Sequence, residues 1–319
     1  MKTILITDTH FGTRQNSITW LNSQIDFFTK QLIPYIKKQK EGVRLVHLGD
    51  VFDSRSTIST IVASRVVDLF KQISELVDEF IIIGGNHDYY SPNSDEYDTL
   101  NLLLGNLNIK LVTKQALIDK ENKHIYVPWY VWQEEMHSPA NLQDAIDTYN
   151  IQRVFTHADI VNEPVNIRCR EIYSGHIHIP HCKGNIRNLG SIYSLNFADA
   201  NSKRGFYVID GDNLLFVENN VSIKFYRFYN DDIFTIPDIN KNDYIELYIN
   251  QSNMSNQLYL DEINNLVKNW KNVWLIPQTE SKEVFDSETF AGYDIETITK
   301  EMIPENLKQK FNQILHILE

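Results

Sequence analysis

The stretch Ile81–Tyr90, IIIGGNHDYY, runs from three isoleucines through two glycines into Asn86, His87 and Asp88. A short β-branched apolar run closed by turn residues reads as a buried strand. Side chains able to ligate a metal or move a proton therefore stand at a strand's carboxyl end. In α/β sheets that is where sites form. The fold and the chemistry both depend on whether other strands end the same way.

Four others do. Thr3–Thr7 (TILIT) runs into Asp8 and His10, and Val43–Leu48 (VRLVHL) into Asp50. Arg153–Thr156 is followed by His157, and Glu171–Ser174 by His176 and His178. Between the first strands, Trp20, Leu21, Ile25, Phe28, Leu32 and Ile36 keep helical spacing, with Pro34 expected to kink or divide the helix. Ile58–Val77 forms a second amphipathic pattern, and Asp95–Leu107 reads as a further helix. This alternation predicts an α/β core with a partly parallel sheet.

Further strands are expected at Lys123–Trp129, Asn185–Leu189, Gly205–Ile209 and Ser222–Tyr229. From Arg153 on, the strands follow one another without helices and read as an antiparallel meander forming a second sheet. The expected architecture is thus an α/β (α+β) fold, two sheets packed as a β-sandwich and flanked by helices. From about Phe234 the chain turns polar. A strand (Tyr244–Ile249), a helix (Leu258–Trp270) and a strand (Val273–Ile276) then suggest a small βαβ-type unit. A polar stretch, Thr279–Glu288, precedes a terminal helix from Pro304, with Leu307, Phe311, Ile314, Leu315 and Leu318 on one face. The predicted division is 1–232, 233–280 and 281–319.

The chain has 319 residues, 42% of them hydrophobic, enough for a sizeable core. No apolar run approaches the roughly 20 residues that span a bilayer, and the N-terminus lacks a secretory pattern. Cys169 and Cys182 are not spaced as a C-x-x-C pair and read as two thiols in a reducing compartment, so a soluble intracellular protein is expected. The net charge of −12 counts against a stand-alone nucleic-acid binder, unless metal ions or a partner reverse the sign locally.

Aspartate, asparagine and histidine offer hard oxygen and imidazole nitrogen without thiolate, a donor set suited to Mn²⁺, Fe²⁺ or Zn²⁺. A single carboxylate between two donor sets can bridge two cations, which activate water and hold phosphoester oxygens. The glycines in LGD, GGN and SGH allow close backbone approach and positive φ.

In order, Asp8-x-His10, Gly49-Asp50, Gly85-Asn86-His87-Asp88, His157 and Gly175-His176-x-His178 resemble the calcineurin-like metallophosphoesterase superfamily. The resemblance implies that Asp8, His10, Asp50 and His178 hold one metal. It implies that Asp50, Asn86, His157 and His176 hold a second, with Asp50 bridging. His87 would face the scissile phosphate, and Asp88 would orient His87 by hydrogen bonding.

GDVFDSR (Gly49–Arg55) and the segments Ile125–Tyr130, Asn185–Asp199 and Arg204–Asp210 resemble the SbcD-type DNA repair nuclease subunits, especially their bacteriophage branch. That likeness implies a two-metal DNA exo- or endonuclease, with Mn²⁺ the leading metal and Mg²⁺, Fe²⁺ or Zn²⁺ as alternatives. It also implies a capping domain, a homodimer formed through Ile58–Val77 and Asp95–Leu107, and a coiled-coil ABC-type ATPase docked by the terminal helix. Some relatives carry histidine where Asp53 stands, which leaves the exo/endo balance open. The chain has no Walker motif, so ATP hydrolysis would belong to the partner.

Arg14, Arg55 and Arg187 lie near the motifs and are candidate phosphate contacts. His47 reads as a core histidine; His124, His137 and His316 read as surface residues; His181 could line the cleft.

Overall fold

Leu5, Val46 and Ile81 lie side by side in three neighbouring parallel strands, and so do Ile4, Leu45 and Phe80. Strand alternation sends these two rows to opposite faces, and both rows are buried. The computed structural model describes residues 1–136, 140–160, 167–229, 232, 240–250 and 255–278. The terminal helix, the Thr279–Glu288 stretch, His137 and His316 lie outside them.

The strands, in chain order, are β1 Lys2–Ile6, β2 Val43–His47, β3 Glu79–Ile83, β4 Tyr89–Ser91, β5 Ser94–Asp98, β6 Lys110–Val112, β7 Leu117–Asp119, β8 His124–Val127 and β9 Arg153–His157. They continue as β10 Glu171–Gly175, β11 His181–Lys183, β12 Ile186–Asn188, β13 Gly205–Asp210, β14 Asn213–Glu218, β15 Phe225–Tyr229, β16 Tyr244–Asn250 and β17 Asn272–Gln278. Two six-stranded sheets result, β14-β13-β1-β2-β3-β6 and β11-β12-β10-β9-β8-β7.

Their facing sides share one core, in which Leu5, Val46 and Ile81 meet Tyr126, Phe155 and Tyr173. The outer side of the first sheet packs on helices Ile18–Phe27 and Thr60–Ser74 through Ile4, Leu45 and Phe206 against Phe27, Val66 and Phe70. The outer side of the second packs on helices Trp129–Met136 and Ala140–Tyr149 through Trp132, Leu142 and Ile146. The molecule is the α/β sandwich with flanking helices that the sequence predicts.

Its second sheet corrects the expected meander. β8, β9, β10 and β12 run parallel, and only the edge strands β7 and β11 are antiparallel. Parallel pairing needs a crossover. The helices between β8 and β9 supply one. The spacing of Leu142 and Ile146 was the available sign of those helices. β13 leaves the second sheet for the first, antiparallel to β1. β15 pairs with β16 in a separate three-stranded sheet, across the boundary expected at residue 233.

Two local readings also change. The chain stays helical past Pro34, because a wider π-helical turn at Phe28–Leu32 absorbs the donor that proline lacks. The helix expected from Asp95 begins only at Thr99; Ser94–Asp98 is a strand, and the Asp98 side chain caps the helix through Asn101 N–H. Among the described residues no helix is long and apolar enough to cross a membrane.

Candidate metal centre

β1, β2 and β3 of one sheet and β9 and β10 of the other deliver their carboxyl ends to the same edge of the sandwich. This follows from the parallel pairing; a meander would have sent His157 and His176 to opposite edges. Asp8, His10, Asp50, Asn86, His157, His176 and His178 converge there.

Four of these residues occupy left-handed backbone that side chains seldom adopt: Asp8 (φ 51°), His10 (40°), Asp50 (55°) and His176 (82°). Each costs roughly 1–3 kcal/mol unless its surroundings enforce it. Buried polar side chains supply that enforcement. Gln24 Nε2 donates to the carbonyls of Thr9 (2.8 Å) and His10 (3.1 Å), and the Tyr193 hydroxyl donates to Thr9 as well. Asn188 Nδ2 donates to Ile177 (2.6 Å) and Ile179 (3.0 Å), on either side of His178.

Asp88 accepts backbone N–H groups from Asp50 (3.0 Å), Gly85 (2.9 Å), Val51 (3.1 Å) and Phe52 (3.4 Å). Close approach completes the fit. A Cβ on Gly85 would lie 2.2 Å from Asp50 N, and one on Gly175 2.1 Å from Thr7 Oγ1.

The donor atoms form two outer groups bridged by a third, His10, Asp50 and His87, so that Asp50 lies between them. Its Oδ2 lies 3.5 Å from His10 Nε2, and its Oδ1 3.3 Å from His157 Nε2. On one side stand Asp8, His10 and His178, with the Nε2 atoms of the two histidines 3.1 Å apart. On the other stand His157 and His176, with Asn86 Oδ1 at 3.1 and 2.9 Å from their ring nitrogens. His157 Nδ1 donates to the Leu48 carbonyl at 2.7 Å, so in the neutral ring Nε2 carries a lone pair. That lone pair faces the carboxylate and amide oxygens of Asp50 and Asn86. Carboxylate, amide and imidazole atoms converging in this way fit divalent cations of the Mn²⁺, Fe²⁺ or Zn²⁺ type.

With the carboxylates otherwise uncompensated, the electrostatics put a proton on His157, the positive charge that a cation would replace. Burial opposes charge on Asp50, yet the rings of His157, His10 and His87 hold it well below the ordinary carboxylate range. Burial would lower His157, but Asp50 and Asp8 carry it up to about 9. Burial keeps His176 and His178 below the usual imidazole value, in the neutral form a metal ligand requires.

His87 does not receive the expected support. The Asp88 carboxylate bonds the four backbone groups above rather than the His87 ring. His87 Nδ1 donates instead to the Asp53 carbonyl at 2.5 Å, which leaves Nε2 as the nitrogen able to reach a substrate. Asp53, noted in the sequence only as a position where some relatives carry histidine, therefore joins the candidate site through its carbonyl. Its carboxylate also lies 3.5 Å from His10 Nδ1. The signal was present in GDVFD, as a second acidic residue in the same loop.

A cavity of about 360 Å³ opens over these groups, lined among others by Arg14, Asp50, Asp53, Asn86, His87 and Asn196. Of the three candidate arginines only Arg14 lines it. Arg55 lines an apolar groove beside Tyr90 and Leu102, and Arg187 lines another cavity with His181, donating to Cys182 Sγ at 3.3 Å. His47 is buried, with Thr9 Oγ1 3.0 Å from Nε2. His124, expected at the surface, is buried against Arg44 at 3.1 Å.

The sequence matches the calcineurin-like phosphoesterase family over residues 1–291. It is 25% identical over 241 residues to exonuclease subunit 1 of Enterobacteria phage T4, covering 70% of this chain and 69% of that protein. Among solved structures, the nuclease MPE of Pseudomonas putida is similar at 15% identity and a TM-score of 0.33, covering 58% of this chain; 66% of that chain is covered, just under two thirds of its length. The strand ends carry the motif order, the donors converge as that order requires, and the match spans most of the sequence: the chain belongs to the calcineurin-like phosphoesterase family.

Proposed function

We propose that this protein is the nuclease subunit of a DNA end-processing and recombination complex, hydrolysing phosphodiester bonds with two divalent cations, Mn²⁺ foremost. One observation carries the reading: a single buried carboxylate, Asp50, turns one oxygen to each of two donor groups. The likeness to a protein named as an exonuclease subunit supports DNA as the substrate and a second subunit as partner.

Bound there, two dications would neutralise phosphoryl oxygens and make water a usable nucleophile. The chain's own residues do the rest. Asp8, His10 and His178 would hold one cation, Asn86, His157 and His176 the other, and Asp50 both. His87 Nε2 would give a proton to the leaving oxygen while the Asp53 carbonyl fixes its ring. Arg14, on the cavity wall, would meet a flanking phosphate. The acidic surface is accommodated if the partner, a coiled-coil ABC-type ATPase, supplies the larger DNA-binding face. A homodimer through the region of Ile61 and Leu102, both exposed, is the companion expectation.

The test is hydrolysis of linear duplex and single-stranded DNA, with and without Mn²⁺, beside a nucleotide phosphodiester. Metal-dependent DNA cleavage is expected. Turnover of the small phosphodiester with the DNA left intact would sink the reading. Co-purification with the coiled-coil ATPase tests the partner.

A further inference from the structure

The three-stranded sheet β15–β17 packs one face on its own helix, and among the described residues only the near end of the other meets a helix, Ile18–Phe27, through Trp20 against Phe225 and Tyr244. Leu247, Ile249 and Phe228 pack on the helix Gln257–Asn269. Strand alternation puts Phe225, Tyr244 and Trp274 on the opposite face.

That face begins at the metal cavity. Arg14, on the cavity wall, lies 4.7 Å from the Trp20 ring and 5.5 Å from the Tyr244 ring. Tyr244 stacks on Phe225 at 5.0 Å and on Trp274 at 5.5 Å, the latter pair within 15° of parallel. Phe197 follows Asn196, another cavity-lining residue, and meets Trp274 edge-on at 5.7 Å. A run of rings therefore leads from the cavity wall to Trp274, which keeps 46% of its surface exposed. Farther along the face, Tyr229 and Tyr248 stack at 4.8 Å, and the Arg227 guanidinium lies 5.8 Å from the Tyr248 ring. Tyr229 is 45% exposed.

Phe225 is buried beneath the run, Trp274 and Tyr229 present exposed rings, and Arg227 is held among them by Glu246 at 2.7 Å; exposed flat rings beside a cation are what unpaired bases stack on, whereas in a duplex the base faces already cover one another. We propose that this face is a stacking platform for the unpaired nucleotides of a strand whose phosphate occupies the metal cavity, with Trp274 taking the first base. The proposal rests on the nuclease reading and adds to it a preference for single-stranded or frayed DNA.

The experiment measures binding of a labelled oligothymidylate and of a blunt duplex, with Mn²⁺ present, in a His87→Ser background that prevents turnover. Adding Trp274→Ala should weaken oligothymidylate binding about tenfold and duplex binding less than about twofold. Trp274→Phe, which keeps a ring, should stay within about threefold of the parent. Unchanged oligothymidylate affinity in the alanine variant, or an equal loss for the duplex, overturns the platform while leaving the nuclease reading standing. A parent protein that binds neither DNA defeats the nuclease reading itself, and the platform with it.

Discussion

Replacing Asp88 by asparagine puts an amide nitrogen where one carboxylate oxygen accepts two backbone N–H groups. Oδ2 takes those of Asp50 and Gly85, and Oδ1 those of Val51 and Phe52. Whichever way the amide turns, two donors face a donor inside a fully buried site. Two lost bonds to a charged group, with their N–H groups left unsatisfied, cost about 3–5 kcal/mol. At about 2–4 °C per kcal/mol for a domain of this size, the melting temperature should fall by about 10 °C. The loop that carries Asp50 loosens with it, so metal content should fall as well. Burial and the neighbouring Asp50 charge push the Asp88 carboxyl up to about 7, so the comparison belongs at pH 8, where both oxygens accept. Thermal melts and metal analysis of wild type and Asp88→Asn provide the readout. A variant with both metals, a melting temperature within about 2 °C of wild type and a loss confined to turnover would refute the clamp and make Asp88 a support of His87 after all.

Other substitutions separate the remaining roles. His87→Ser should keep its metals and lose about 10²–10⁴-fold in rate, whereas Asn86→Ala should lose metal affinity too; equal metal contents in the two would undo the division. Asp50→Asn should abolish activity and weaken both cations, and a variant holding both at full rate would contradict bridging. Burial, then the Arg44 charge, lowers His124 from 6.5 to about 4, so between those values the unfolded chain binds more protons than the folded one. Stability from this residue is complete above pH 6.5 and lost as pH falls to 4, about 3 kcal/mol in all. His124→Gln should flatten that part of the urea-midpoint profile; identical slopes from pH 7 to 4.5 would assign the effect elsewhere.

The sequence made the candidate ligands legible because each is a polar residue set against an apolar strand. Asp8, Asp50 and Asn86 needed only the ends of three strands to be found. The direction of β9, β10 and β12 was not legible, because a strand's pattern shows its faces but not its partners' polarity. The contacts of Gln24, Asn188 and Asp53 were missed for a related reason. They act through backbone carbonyls, and spacing does not report which carbonyl a side chain will meet. Asp88 was recognised by its motif but given the wrong neighbour. The motif fixes its position along the chain, whereas the fold turns its carboxylate toward the loop after β2.

The joint between the two sheets has a meaning beyond folding. His157 and His176 belong to one sheet, Asp8, Asp50 and Asn86 to the other, and the His157 bond to Leu48 crosses between them. Each outer donor group therefore draws from both layers, and how the layers rest on each other sets the spacing of the donors, as the gap of a caliper is set by its slide. Tyr126, Phe155 and Tyr173, stacked at 5.1 and 5.5 Å in that joint, act as the shim. Natural variation in these three rings would shift the spacing of the candidate ligands without altering one of them.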